Sequence, residues 1–134
     1  MSVRRLAGLG SLLAFLLMTP TSASAASSLA ITGARLGPEG ASVTVTAQYS
    51  CDEPFSSYLG VEVTQANGNK LVRAGGYVST YDGGLVCDGA THTAQIVAVN
   101  SGTVPFKKGK ATVGATLQQQ YYPNISVTRE VSLR

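Results

Sequence analysis

Four segments of this chain alternate apolar and polar residues with a period of two. The apolar positions of the first are Val43, Val45, Ala47, Tyr49 and Cys51. The other three run over residues 59–64, 111–117 and 125–133. Successive side chains of a β-strand point to opposite faces, so the pattern predicts four half-buried strands. Arg129 interrupts the apolar side of the last segment, and we expect it at a bend or with its guanidinium at the rim.

Three further segments are rich in strand-forming residues but alternate less regularly. They run over residues 29–36, 70–78 and 91–99. Residues typical of turns separate the segments at 37–40, 67–69, 107–109 and 123–124. Seven short strands with such turns predict an all-β protein, most simply a single immunoglobulin-like antiparallel β-sandwich with one disulfide. A closed barrel is the alternative.

The first 25 residues predict a cleaved signal peptide. Arg4 and Arg5 precede an apolar run over residues 6–18, and Ala23-Ser24-Ala25 has the small residues of a cleavage site. The run has 13 residues, whereas a helix that spans a bilayer needs about 20. We therefore expect residues 26–134 to form a secreted, extracellular β-sandwich domain that does not insert into the membrane.

Cys51 and Cys87 are the only two cysteines of the chain. An even number of cysteines in an exported protein indicates oxidised pairs, so we expect a disulfide between them. In the chain-entropy model, a bridge that closes a loop of this length stabilises a domain by roughly 3 to 4 kcal/mol. The single histidine is poorly placed for four-coordinate zinc, and we expect neither a metal nor another cofactor.

The charge of the secreted part is close to balanced. Removal of the signal peptide takes away Arg4 and Arg5 and leaves eight basic and seven acidic residues, a net charge near +1. Such a balance does not indicate a basic surface, so no nucleic-acid partner is expected. A chain of about 109 residues is enough for one domain with one core, and we expect a monomer.

Two motifs are more specific than the alternating strands. The first strand pattern ends in Tyr49-Ser50-Cys51, and residues 87–92 read Cys-Asp-Gly-Ala-Thr-His. With the segments 63–65 and 105–117, these motifs resemble small secreted proteins of actinobacteria that form a family of unknown function. The resemblance covers nearly all of residues 26–134 and implies an exported β-sandwich with a disulfide. It implies no reaction, and the chain departs from the pattern in the length of segment 79–86.

Asp88 and His92 are the best candidates for a catalytic pair. A histidine base needs a carboxylate to orient it beside a serine nucleophile. The sequence lacks the Gly-x-Ser-x-Gly turn of many such hydrolases, and Asp88 followed by Gly89 is typical of a turn closed by a carboxylate. We therefore expect a non-enzymatic protein without catalytic residues. A small hydrolase that uses His92 is the alternative.

The hypothesis that this protein binds a partner rests on its loops and its tyrosines. Loops hold functional residues disproportionately often. The residues expected to contact a partner are Tyr81, Asp82, Asp88, His92, Lys107 and Lys108. Five tyrosines outside the inward positions are further contact material, namely Tyr58, Tyr77, Tyr81, Tyr121 and Tyr122. The basic turn is most simply a solvated hairpin tip, with contact to teichoic acids or anionic lipids as the alternative. We expect a binding module for an extracellular protein or a cell-wall polymer, or alternatively an inhibitor of an extracellular hydrolase.

Overall fold

The structure is a computed structural model, and its description covers residues 27–52 and 56–134 of the 134-residue chain. The predicted signal peptide lies outside the described residues. The strands, in chain order, are β1 (Ser28–Leu36), β2 (Ser42–Ser50), β3 (Ser57–Asn67), β4 (Lys70–Ser79), β5 (Thr91–Asn100), β6 (Gly109–Gln119) and β7 (Tyr122–Leu133). The prediction of an all-β protein with seven strands is confirmed. Within the described ranges, no helix is long and apolar enough to cross a membrane.

All seven strands belong to one antiparallel sheet in the order β1-β2-β5-β4-β3-β6-β7. The junction between β4 and β5 is thin, with two paired positions that include Gly75 opposite Val99. One hydrogen bond joins the two edges of the sheet: the Leu36 N–H of β1 donates to the carbonyl oxygen of Arg134, just after β7, at 3.1 Å. The seven strands thus form one antiparallel sheet whose first and last strands approach each other.

The alternating apolar residues form the core. Those with no exposed surface are Val43, Val45, Ala47, Leu59, Val63, Ala98, Val113 and Leu117. Complete burial of a valine or leucine side chain contributes about 1.5–3 kcal/mol, so these positions determine which face of each strand points inward. The residues between them face outward, where a partner can reach them.

Arg129 links the first and last strands at the rim of the sheet. Its Nη1 atom donates a hydrogen bond to the Ile31 carbonyl oxygen of β1 at 2.6 Å. The β1 register shifts between Ile31 and Gly33, which marks a bulge at this point. The charged side chain that interrupts the apolar pattern of β7 thus lies exposed and bonded to the opposite edge.

Two connections lie side by side at the end of the sheet where β3 leads into β4. Gly68 has a φ of +65°, as the first central position of a type II′ hairpin turn requires. Buried Gln65 clamps the neighbouring β5–β6 loop. Its Nε2 donates to the Lys107 carbonyl oxygen at 2.7 Å, and its Oε1 accepts from the Lys107 N–H at 2.8 Å. The basic turn is therefore held against the β3–β4 hairpin.

Candidate functional site

The loop between β4 and β5, residues 80–90, is fastened to the end of β2. Cys51 and Cys87 form the predicted disulfide, with Sγ atoms 2.08 Å apart, so this prediction is confirmed. The Gly89 N–H donates to the Cys51 carbonyl oxygen at 2.9 Å. On the other side of the bridge, the Val86 N–H donates to the hydroxyl oxygen of buried Tyr49 at 2.9 Å. The second half of the loop is thus held at three points.

Asp88 and His92 are hydrogen-bonded to each other at the start of β5. His92 Nε2 lies 2.7 Å from Asp88 Oδ1, and the same oxygen accepts the Ala90 N–H at 2.9 Å. The His92 bond, followed by the Ala90 bond, lowers the pKa of the Asp88 carboxyl from its usual 3.8. The imidazole ring also lies 5.9 Å from the Tyr49 ring. Asp88 thus closes a turn and orients the histidine.

A hydrolase needs more than this pair. A general base must reach a nucleophilic hydroxyl with its second ring nitrogen, which is Nδ1 of His92 here. The contacts that the structure gives His92 are the Asp88 carboxylate and the Tyr49 ring, and both partners also brace the loop. The geometry therefore favours a structural role for the pair. The hydrolase that uses His92 stays an alternative, and among residues 27–52 and 56–134 no hydroxyl or thiol is hydrogen-bonded to the imidazole.

Asp82 braces the first half of the loop. Its Oδ1 accepts the Gly84 N–H at 2.7 Å and the Ser79 N–H at 3.2 Å. These two backbone bonds, the Gly84 bond first, lower the pKa of the Asp82 carboxyl from 3.8. With the disulfide at its other end, the loop is exposed and yet preorganised, and it presents Tyr81 from a fixed position.

The lowered pKa values of both loop aspartates predict that the protein loses stability in acid. Each carboxyl has a lowered pKa in the folded state, so its contribution is complete above the unfolded value and disappears as the pH falls through the folded one. We expect the free energy of unfolding, measured in urea between about pH 5 and pH 2, to fall less steeply for Asp82→Asn/Asp88→Asn than for the wild type. Equal slopes for both proteins would contradict this assignment.

Three tyrosines from three elements meet on the outer face of the sheet. Tyr58 lies on β3, Tyr77 on β4 and Tyr81 in the β4–β5 loop, and we call them the tyrosine cluster. The Tyr58 ring centroid is 6.3 Å from each of the other two, and the Tyr77 ring meets it edge to face. Tyr77 is 67% and Tyr81 73% exposed. The cluster is therefore ordered by its own contacts without being part of the core.

A groove of about 510 Å³ opens beside the tyrosine cluster on the outer face of β4, β3 and β6. Backbone forms much of its floor, because Gly60, Gly76 and Gly114 are among the lining residues. A Cβ added to Gly114 would meet nothing within 4 Å, so the space above this strand is free. The lining residues with side chains are Tyr58, Val61, Glu62, Tyr77, Thr116 and Gln118. Aromatic rings, hydroxyl, amide and carboxylate groups thus converge on one concavity.

Strand pairing explains why the glycines share this surface. Gly60 of β3 lies opposite Tyr77 of β4 and Thr116 of β6. Two residues further along β3, Glu62 lies opposite Gly114. Residues opposite each other in antiparallel strands point to the same face, so the missing glycine side chains leave room beside Tyr77 and Glu62. Among the described residues that line the groove, Glu62 is the only charged one.

The six residues predicted to contact a partner form two groups at opposite ends of the sheet. Lys107 is bonded to Gln65 near the end of β3, whereas Tyr58 lies near its start. About seven residues of strand separate these positions, or about 24 Å at 3.4 Å per residue. The group at the disulfide end consists of Tyr81, Asp82, Asp88 and His92. Lys107 and Lys108 belong to the other end.

Sequence analysis alone does not predict the groove. Part of the signal is present, because the alternation assigns Gly60 and Gly114 to outward positions and leaves the tyrosines outside the inward ones. The missing information is the order of the strands. Gly60 and Gly114 lie far apart in the chain and share a surface only because β3 pairs with β6.

Comparison with known proteins adds no assignment. No protein-family model matches the chain, and no curated protein matches it significantly. In the part of the chain that the structure describes, no three His, Cys, Asp or Glu side chains come together as a metal site requires. The resemblance to small secreted actinobacterial proteins stays a prediction that rests on the motifs of residues 49–51 and 87–92.

Proposed function

We propose that this chain is a secreted, non-enzymatic binding module and that the groove beside the tyrosine cluster is its ligand surface. The observation that carries the proposal is an open groove of about 510 Å³ walled by exposed tyrosine rings. Concave sites lined by aromatic rings and a few polar groups are typical of ligand binding. The disulfide supports an oxidising, extracellular compartment.

The tyrosine cluster is better explained by a partner than by folding. A tyrosine ring buries a large area on contact and has few rotatable bonds to order. The rings of Tyr58, Tyr77 and Tyr81 restrict one another through their edge-to-face and tilted contacts. A preorganised surface loses less entropy on binding, which raises affinity without additional contacts.

Tyr121 supports an aromatic contact surface at this end of the sheet. It lies in the β6–β7 turn with a φ of +71°, in the left-handed region where a bulky residue is strained and glycine is not. The residue is 79% exposed, so little packing offsets the strain. Local backbone strain of this kind is frequent at functional sites.

The groove favours an extended segment of an extracellular protein as its partner. Outward residues on one strand are about 7 Å apart, so the three positions from Tyr58 to Glu62 span about 14 Å, the length of about four extended residues. Glu62 repels an acidic segment and attracts a basic one, which supports a neutral or basic partner. An extracellular hydrolase is one partner of this class. An inhibitor must present an exposed, braced segment to the active cleft, and Tyr81 projects from such a loop.

Filling the groove tests the proposal. Gly114→Val places two methyl groups in the groove, and Gly33→Val on β1 is the matched control, because a Cβ at either position meets nothing within 4 Å. We expect both variants to keep Tm within about 3 °C of the wild type. Only Gly114→Val should weaken binding of the partner, by about tenfold or more, equivalent to 1.4 kcal/mol.

The measurement has two stages. Immobilised wild-type protein first captures partners from concentrated culture medium and from an array of basic, neutral and acidic peptides. Surface plasmon resonance then compares the variants on the captured protein or peptide. Unchanged affinity for Gly114→Val contradicts the groove as the ligand surface. Selective capture of polysaccharide contradicts a protein partner, whereas a captured hydrolase that loses activity on binding identifies the module as an inhibitor.

A further inference from the structure

Most of the basic residues lie at the end of the sheet opposite the disulfide. Asp52, Asp82 and Asp88 lie at the disulfide end. The lysine and arginine residues around the β3–β4 turn and the β5–β6 loop are Lys70, Arg73, Lys107, Lys108 and Lys110. Of the described acidic residues near this end, Glu130 pairs with Lys110 at 3.6 Å and Glu39 lies in the β1–β2 connection. The near-balanced net charge of residues 26–134 therefore conceals a basic end, which composition alone does not indicate.

A cleft of about 360 Å³ lies at this basic end, between the start of β4 and the β5–β6 loop. Lys70 and Arg73 line it on the β4 side, together with Leu71 and Val72, and residues 100–104 line it on the other. Lys70 and Arg73 are both exposed. Neither has a carboxylate within 4.0 Å among residues 27–52 and 56–134. Their charges are therefore available to a ligand.

The loop that forms the far wall of the cleft is braced from within. Asn100 Nδ2 donates to the Val104 carbonyl oxygen at 2.6 Å, and Asn100 Oδ1 accepts the Gly102 N–H at 2.9 Å. The Ser101 N–H donates to the Arg73 carbonyl oxygen at 3.1 Å, which ties the two walls together. The cleft is thus preformed, and a ligand does not have to order the loop.

Lys107 and Lys108 extend the positive charge beyond the cleft. The two hydrogen bonds between Gln65 and Lys107 hold this turn against the β3–β4 hairpin that carries Lys70. Asn67 Nδ2 adds a bond to the Pro105 carbonyl oxygen at 3.4 Å. Both lysine side chains are exposed, and the structure pairs neither with a carboxylate of a described residue.

We propose that this cleft binds one phosphate group of a linear phosphate polymer, with Lys107 and Lys108 contacting neighbouring phosphates of the same chain. Arg73 offers the planar fork of donors that suits phosphate oxygens, and Lys70 adds a compact positive charge. A flexible polymer can place one phosphate inside a concavity and further phosphates on the adjoining turn. The flat surface of a bilayer matches a concave site less well.

The salt dependence of binding gives the expected size of the change in affinity. Neutralising three or four phosphates of a flexible polyanion displaces their counterions, so affinity falls about 20- to 50-fold between about 50 and 200 mM salt. Removing two of the cations should therefore weaken binding and also flatten the dependence on salt. A surface attracted to phosphate only by overall net charge would lose the same affinity wherever two cations were removed.

The experiment uses linear inorganic polyphosphate as the probe and fluorescence anisotropy as the readout. Lys70→Gln/Arg73→Gln is compared with Arg35→Gln/Arg134→Gln, which removes the same charge from exposed side chains outside the cleft. We expect the cleft variant to bind about tenfold more weakly with a smaller salt slope, and the control to change less than about twofold. Thermal unfolding verifies that both fold. Lys107→Gln/Lys108→Gln provides a second test and should also weaken binding.

Two further arms distinguish other anionic partners. Vesicles of phosphatidylcholine with about 30% phosphatidylglycerol test a lipid surface, to which exposed Leu71 would contribute. Duplex DNA tests a nucleic acid. Tighter binding to either than to polyphosphate overturns the proposal, as does equal loss in the cleft variant and its control. Because the groove variant Gly114→Val leaves this end untouched, it should bind polyphosphate like the wild type, whatever its effect on a protein partner.

Discussion

Replacing Cys51 and Cys87 together with alanine is expected to lower the free energy of unfolding by about 3–4 kcal/mol. The bridge joins residues with a sequence separation of 36, and the chain-entropy model assigns about this stabilisation to a loop of that length. Small domains have a net stability of about 5–15 kcal/mol, so the loss is a large fraction of the total. Removal of the bridge also releases one anchor of the loop that carries Tyr81, so binding at the tyrosine cluster should weaken as well.

Urea unfolding of the wild type and the double variant measures this effect. The unfolded variant lacks the cross-link and exposes more surface, so its m-value should rise while its midpoint falls. The wild type with its disulfide reduced is the matched control and should lose a similar free energy. A difference below about 0.5 kcal/mol between the oxidised wild type and the double variant would show that the bridge does not stabilise the fold.

The strands and the disulfide could be predicted because their signals are local or countable. Val43, Val45 and Ala47 alternate with polar residues, and all three have no exposed surface in the structure. Each inward position is determined by the hydrophobic effect acting on a strand with a period of two. Two cysteines allow only one intramolecular pairing, so the prediction of the bridge required no knowledge of topology.

The groove and the cleft at the basic end could not be predicted from the sequence, because both depend on which strands are neighbours. Gly60 and Gly114 form one floor through the β3–β6 pairing, and Arg73 meets Ser101 through the approach of β4 to the β5–β6 loop. Neither pairing leaves a signal in the local pattern, since alternation specifies the faces of a strand and not its partners. Net charge does not predict the basic end for a similar reason, because a sum over residues contains no information about their positions.

The thin junction between β4 and β5 depends on one glycine. An added Cβ on Gly76 would lie 2.2 Å from the Val97 carbonyl oxygen and 3.0 Å from the Val97 carbonyl carbon. Both are backbone atoms of β5, so no side-chain rotation can relieve the overlap. An added Cβ on neighbouring Gly75 would lie 3.8 Å from the Val61 carbonyl oxygen, an ordinary contact. The two glycines therefore differ in what a methyl group would displace.

Gly76→Ala is expected to destabilise the protein by about 3 kcal/mol, because the methyl group must push β4 away from β5 where the two halves of the sheet join. Gly75→Ala is the matched control and should raise stability by up to about 1 kcal/mol, since glycine in a strand loses more conformational freedom on folding than alanine. Urea unfolding and amide hydrogen exchange measure both effects. Faster exchange should be concentrated where Ala74 pairs with Asn100 and Gly75 pairs with Val99 across the junction. Equal stability of the two variants would mean that the close approach at Gly76 does not hold the halves of the sheet together.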